Sequence, residues 1–261
     1  MTRPRVYKTE AIVLKHTNLG EADRILTLYT PNYGKLRVAA KGVRKPKSRL
    51  GGHVELLTRS AMMLAHGRNL DIVTQSQTID SFLPLRSDLW KTSCAFYLAE
   101  LVDSFTEEQD ENYPLYRLFL DALHWLENAD VGLALRYFEI HLINHLGYRP
   151  QLLWCTRCTG PLEPVTNFFS ADAGGVLCPS CGYGDSFARS ISVNALKVMR
   201  FFQDSDFASA SRVRLDRELS LELEHLMRYC LRYLLERDVK SVEFLDLLRQ
   251  PRSNRGRPEL R

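Results

Sequence analysis

Long apolar runs are missing from this 261-residue chain. No stretch approaches the roughly 18 residues that a membrane-crossing helix needs. The opening "MTRPRVYKTE" carries Arg3, Arg5 and Lys8 where a secretory leader would carry an apolar core. The expectation is a cytoplasmic protein with no membrane partner. Also missing are the phosphate-cradling G-x-x-x-x-G-K-[ST], the dinucleotide G-x-G-x-x-G and the nucleophile elbow G-x-S-x-G. His141 and His145 stand four apart, as in zinc peptidases. Leu142 follows His141 where the general base Glu would have to be. Those two histidines are read as helix-face residues. The acids make one conspicuous run, Glu107, Glu108, Asp110 and Glu111, read as a solvated loop between two helices. Nothing in these patterns supports an enzyme.

Cysteine is scarce, six in the chain, and unevenly placed. Cys94 and Cys230 sit alone in apolar helical patterns and read as buried core thiols. Cys155 and Cys158 form one C-x2-C, and Cys178 and Cys181 another, with residues 159–177 between. A C-x2-C turn presents two thiolates on one side of a tight bend. Two such turns complete a tetrahedral sulfur set suited to structural zinc. Because four thiolates leave no open coordination position, such a metal folds a subdomain rather than catalysing a reaction. An iron–sulfur centre or a redox pair are the alternatives, each with less fitting spacing.

Apolar content of 45% and charged content of 25% are those of an ordinary globular protein. The expected fold is α+β and multidomain. Residues 1–82 show five strand-like runs with turn signals between them: "KTEAIVLKHT", "ADRILTLYTP", "GKLRV", "HVELLTRSAMML" and "LDIVTQSQTI". Five short strands at this length suggest an OB-type barrel. Helical spacing begins near Leu85 and defines a helical domain whose first part spans 83–151. One of its helices starts near Pro114, and another ends at Gly147 with Pro150 beyond. The four-cysteine finger occupies 152–187, and the second helical part 188–249. There Leu219, Leu223, Leu226, Cys230 and Tyr233 make a stripe read as core. Residues 250–261 read as a basic disordered tail.

Charge is what the chain segregates. The whole protein is only +4, yet residues 1–80 hold fourteen Lys and Arg against six Asp and Glu. Between Lys35 and Arg49 lie seven basic residues and no acid: Lys35, Arg37, Lys41, Arg44, Lys45, Lys47 and Arg49. A basic patch on a small barrel is the footprint of a polyanion binder, most simply of nucleic acid held through its phosphates. Tyr7, Tyr29 and Tyr33 are available for base stacking, with Tyr29 equally suited to the core.

The segment "TEAIVLKHTNLGEADRILTLYTPNYGKLRVAAKGVRKPKSRLGG" resembles the N-terminal signature of the bacterial RecO family of DNA repair proteins. The later "FYLAELVDSF" and "LRYFEIHLINHLGYRPQLLWCTRC" resemble that family's helical body and its passage into the zinc region. The resemblance implies an OB-fold, a helical body and a zinc finger ligated by Cys155, Cys158, Cys178 and Cys181. It implies DNA contacts by the seven basic residues just named. It further implies a recombination mediator that binds single- and double-stranded DNA and anneals complementary strands. The implied partners are RecR and single-stranded DNA-binding protein, whose acidic, aromatic-ended tail would dock on a basic-rimmed apolar pocket. RecA is the indirect beneficiary, loaded onto coated strands, and the setting is the bacterial nucleoid. Two competing readings are a zinc-ribbon nuclease, with Asp71 or Glu108 as the acid, and a scaffold whose basic loop meets an acidic protein.

Overall fold

The computed structural model describes residues 5–249; the expected basic tail, 250–261, lies outside them. Five strands, β1 (Val6–Leu19), β2 (Asp23–Thr30), β3 (Gly34–Ala40), β4 (Arg59–Ala65) and β5 (Asp71–Asp80), close into a barrel of order β1-β2-β3-β5-β4. This is the five-stranded OB-type barrel. Strand β1 serves both halves: residues 6–12 pair with β4 and 12–19 with β2, with a register shift between Val13 and Lys15. Such a shift bends a strand and lets it turn a barrel corner. Strand β4 starts at Arg59, later than the run beginning at His53 suggested. Residues 51–58 instead form a 3-10 turn and bends, with Ser60 and Ser76 hydroxyls donating to His53 O.

Alternation is lost over residues 11–14 of β1 and 28–30 of β2 because both faces are covered there. Ala11, Val13, Leu26 and Leu28 fill the barrel interior. Their neighbours Ile12, Leu14 and Tyr29 belong instead to the helical core. Tyr29 is therefore fully buried, its ring 6.2 Å from that of Tyr116, and takes no part in stacking on a ligand.

A short turn, α1 (Leu83–Arg86), leads into α2 (Leu89–Phe105), α3 (Tyr113–Asn128) and α4 (Val131–His145). Asp88, Asn112 and Asp130 cap the last three, each side chain accepting a backbone N–H three residues on, at roughly 1 kcal/mol apiece. Pro114 sits in the first turn of α3, as expected. At the end of α4, Gly147 has φ +84°, with Gly147 N donating to Asn144 O and Tyr148 N to Ile143 O. This paired closure is a Schellman C-cap. Between α4 and α6 (Val193–Asp204) lies the cysteine region. It contains β6 (Asn167–Ser170), β7 (Gly175–Leu177), α5 (Pro179–Gly182) and β8 (Arg189–Ile191), in sheet order β7-β6-β8. Strand β8 falls just past the expected limit at 187 yet belongs to the same sheet. The chain continues as α7 (Phe207–Ala210), α8 (Arg217–Leu235) and α9 (Lys240–Arg249).

Most of the apolar stripe on α8 is core: Leu223, Leu226 and Cys230 are buried, and Leu219 packs on them. Tyr233 is the exception, 39% exposed with its hydroxyl on Asp172. Cys94 and Cys230 are buried, and loss of hydration pushes each thiol up to about 12, so neither is a ready nucleophile. Within the core, Glu139 accepts from Tyr97 Oη and from Arg136 Nη2, each at 2.7 Å. Among the described residues no helix is long and apolar enough to cross a membrane.

Gly34 opens β3 with φ +60°, and a Cβ there would stand 1.9 Å from Asp110 O. Both constraints penalise a side chain. Gly34→Ala should lower stability by about 1–3 kcal/mol or more, read as a lower urea midpoint with unchanged slope.

Candidate nucleic-acid interface and metal centre

The seven basic residues separate into two groups. Lys35 and Arg37 lie on β3 and face acids of the helical body. Lys35 Nζ donates to Asp103 O at 2.6 Å and pairs with Asp103 Oδ1 at 3.2 Å. Arg37 Nε is 3.7 Å from Glu108 Oε1, both half-exposed. The acidic run 107–111 is thus not a free solvated loop. Gln109 N donates to Lys35 O at 2.9 Å, and Lys35 bridges Glu108 in parallel fashion, so the run lies along β3 as a strap.

Lys41, Arg44, Lys45, Lys47 and Arg49 form the second group. All five are exposed, and among the described residues none has a carboxylate partner. Their loop is nonetheless built rather than floppy. Gly42 N donates to Asp23 Oδ1 at 2.7 Å, and Arg44 N to Ala22 O at 2.9 Å. Lys45 N bonds Gly42 O and Ser48 N bonds Lys45 O. Val43 is buried, and Leu50 packs on the barrel core. Two apolar anchors and the turn joining β1 to β2 therefore hold five cations outward. One of them, the Arg44 guanidinium, leans back to Gly20 O at 3.1 Å.

The two acids that a nuclease would need are already engaged. Asp71 accepts from Tyr7 Oη at 2.6 Å, from Gly67 N at 3.2 Å, and meets His66 Nδ1 at 3.3 Å. Glu108 faces Arg37. Among the described residues the four spaced cysteines are the one group of metal-capable side chains that converge. His141 is not among them: its Nε2 meets Phe202 O at 2.7 Å.

Cys155, Cys158, Cys178 and Cys181 place their sulfurs within 4.8 Å of one another. A tetrahedron with metal–sulfur bonds of about 2.3 Å has edges of roughly 3.8 Å, and Cys158 Sγ to Cys178 Sγ is 3.8 Å. The first knuckle closes through Cys155 N to Gly160 O and Thr159 N to Cys155 O, both 2.9 Å. The second closes through Cys181 N and Gly182 N, both donating to Cys178 O. At Gly182 a Cβ would strike the Phe168 ring at 2.4 Å, so the second knuckle sits directly on β6. Burial opposes ionisation of Cys155, but backbone N–H groups of Cys158, Cys178 and Arg157 overcome it and draw the thiol down to about 6. Hydrogen bonding to Cys178 and the neighbouring sulfurs pushes Cys181 up to about 12. Sulfurs that oppose one another's charge gain most from a divalent cation between them. The donor set and its dimensions fit zinc.

Two family models match this chain: Recombination protein O N terminal over residues 1–82, and Recombination protein O C terminal over 86–243. A protein named DNA repair protein RecO from a Roseiflexus species is 46% identical over 249 residues, spanning 95% of this chain and 88% of its own. Its namesake from Dehalococcoides mccartyi is 43% identical over 249 residues, spanning 95% and 98%. Another, from Symbiobacterium thermophilum, is 36% identical over 251 residues, spanning 95% and 99%.

A Cys155→Ser or Cys181→Ser variant should bind less than one equivalent of metal by elemental analysis and melt at lower temperature. DNA affinity at moderate temperature should change little. Loss of DNA affinity in a variant that keeps its melting temperature would assign the finger to the interface.

Proposed function

The chain belongs to the RecO family of DNA repair proteins, and on that premise we propose that it is a non-enzymatic, DNA-binding recombination mediator. The observation that carries this reading is the loop of five exposed, unpaired cations held on a barrel by buried Val43 and the β1–β2 turn. Lysine and arginine at such positions contact phosphates and release counterions, with little regard for base sequence. A surface of that kind holds one strand, screens its repulsion from a second, and so promotes annealing of complementary strands. It serves single- and double-stranded DNA alike. Lys35 and Arg37 contribute less, because Asp103 and Glu108 already neutralise them.

In this reading zinc is bound by Cys155, Cys158, Cys178 and Cys181. It supplies a cross-link between the two knuckles and no chemistry on DNA. The sulfurs fill the coordination shell, and Arg157 fastens the outside of the site through Cys181 O and Asp185.

The helical body recruits proteins: RecR, and single-stranded DNA-binding protein, so that RecA is loaded onto coated strands at the nucleoid. A cavity of about 460 Å³ between β8, α8 and α9 is lined by Leu231, Val239 and Val242, by Arg189, Arg228 and Arg232, and by the acids Asp238 and Glu243. It suits an acidic, aromatic-ended tail. Arg228 and Arg232 already meet Asp246 and Asp238, which leaves Arg189, lying over the Tyr229 ring, as the cation for an incoming carboxylate. Arg189→Glu should lose binding to such a peptide, measured by fluorescence anisotropy, while annealing naked DNA normally.

The central test is annealing of complementary oligonucleotides without nucleotide or magnesium, across a salt series. Annealing should weaken steeply with salt. Reversing Lys41, Arg44, Lys45 and Lys47 to Glu should abolish it and flatten the salt slope for single strands by at least about 3, with the melting temperature nearly unchanged. Metal-dependent strand cleavage would favour the nuclease reading. DNA binding that survives the reversal intact would remove this loop from the mechanism.

A further inference from the structure

At one end of the barrel three aromatic rings from three separate segments lie in contact in a row, one pair stacked and the other tilted. Tyr33, in the β2–β3 turn, lies 4.8 Å from Tyr7 of β1 with the rings tilted by 53°, and Tyr7 lies 4.9 Å from His66 of the β4–β5 turn at 30°. The middle ring is partly buried. The outer two are open: Tyr33 is 37% exposed and the His66 side chain 43%.

The Tyr7 and His66 rings are held by side-chain contacts, and the turn that carries Tyr33 is held through its backbone. Asp71 is the hub, accepting from Tyr7 Oη, meeting His66 Nδ1 and taking Gly67 N. His66 N also donates to Arg5 O at 3.1 Å. The turn behind it needs Gly67, where a Cβ would stand 1.9 Å from Leu70 O. On the other side Thr30 Oγ1 accepts from Tyr33 N and donates to Gly34 O, closing the hairpin tip that carries Tyr33. Exposed Arg5 and Arg68 flank the row, with no carboxylate partner among the described residues. Three rings held in place, two faces open and two cations beside them make little sense as core. They have the chemistry of a surface that receives flat, anion-bearing groups.

We propose that Tyr33, Tyr7 and His66 form a preorganised stacking platform for unpaired nucleobases, giving the barrel a contact that only single strands can use. The proposal rests on the DNA-binding reading above. The two contacts differ in kind. The cationic loop meets phosphates, present in single strands and duplexes alike. The platform meets base faces, which a duplex keeps within its own stack. Rings already in place lose little freedom on binding.

The test measures affinity for an oligothymidylate and for a blunt duplex of equal length across a salt series. The proteins are wild type, Tyr33→Ala, His66→Ala and Tyr33→Trp. Tyr33→Ala and His66→Ala should each bind the single strand about 10-fold more weakly, with duplex affinity and salt slope unchanged. Tyr33→Trp should match or exceed wild type. Equal loss on both DNA forms, or single-strand affinity unchanged in both alanine variants while wild type binds DNA, overturns the platform and leaves the cationic loop standing. A wild type that binds neither DNA at low salt removes the DNA reading and the platform together. Melting temperatures within a few degrees of wild type are required, and the exposure of both side chains favours that outcome.

Discussion

The middle of β1, residues 11–14, and the end of β2, residues 28–30, are buried on both faces, and most of the architecture follows from that. A strand in a free-standing barrel shows one face to water. Here successive residues alternate between two apolar interiors: Val13 and Leu28 point into the barrel, while Leu14 and Tyr29 meet α2 and α3. Polar contacts align the same junction. Glu10 receives Arg59 at 2.6 Å beside Tyr116, Arg86 reaches back to Leu56 O, and Lys35 is tied to the end of α2. Part of the barrel's outer surface, around Ile12, Leu14 and Tyr29, is thereby spent on the helical body. The open mouth and the loop after β3 are left free to meet a ligand.

Electrostatics follow that geometry. A tally of charges along β3 and its loop counts seven cations, but the acidic strap divides them. Lys35 and Arg37 serve the junction, and the five beyond Ala40 face solvent. The net charge of the first eighty residues thus overstates the field along β3 itself. It understates how sharply the positive charge concentrates in the loop, whose five cationic side chains pair with no carboxylate among the described residues.

Much of this was legible in the residues because it is local. C-x2-C spacing dictates a knuckle, and Gly147 with Pro150 a helix end. What escaped notice depends on distant segments. The acids at 107–111 read as solvated because nothing near them in sequence is basic; Lys35 and Arg37 lie some seventy residues earlier. His66 carries no motif, and only the register of β1 with β4 brings it to Tyr7. Tyr29 was ambiguous because its partner, Tyr116, belongs to another domain. Strand β8 is three residues long and shows its identity only through pairing with β6. The partial alternation of β1 and β2 was a visible trace of the double burial, legible once the helices are in place.

Strand β3 pairs with β5 through only two residue pairs, Val38 with Asp71 and Ala39 with Ile72. The remainder of its edge is occupied by the strap, whose Gln109 bonds Lys35 O. An unpaired strand edge invites the same edge of another molecule. In the proposed DNA-bound state the hazard would grow, because one polyanion would gather many copies of the protein. By filling that gap with a segment that is itself anionic, the fold denies neighbouring copies a β-template and adds mutual repulsion at the same spot. On the proposed DNA-binding reading, copies crowded along one strand would meet at this edge acid against acid rather than strand against strand.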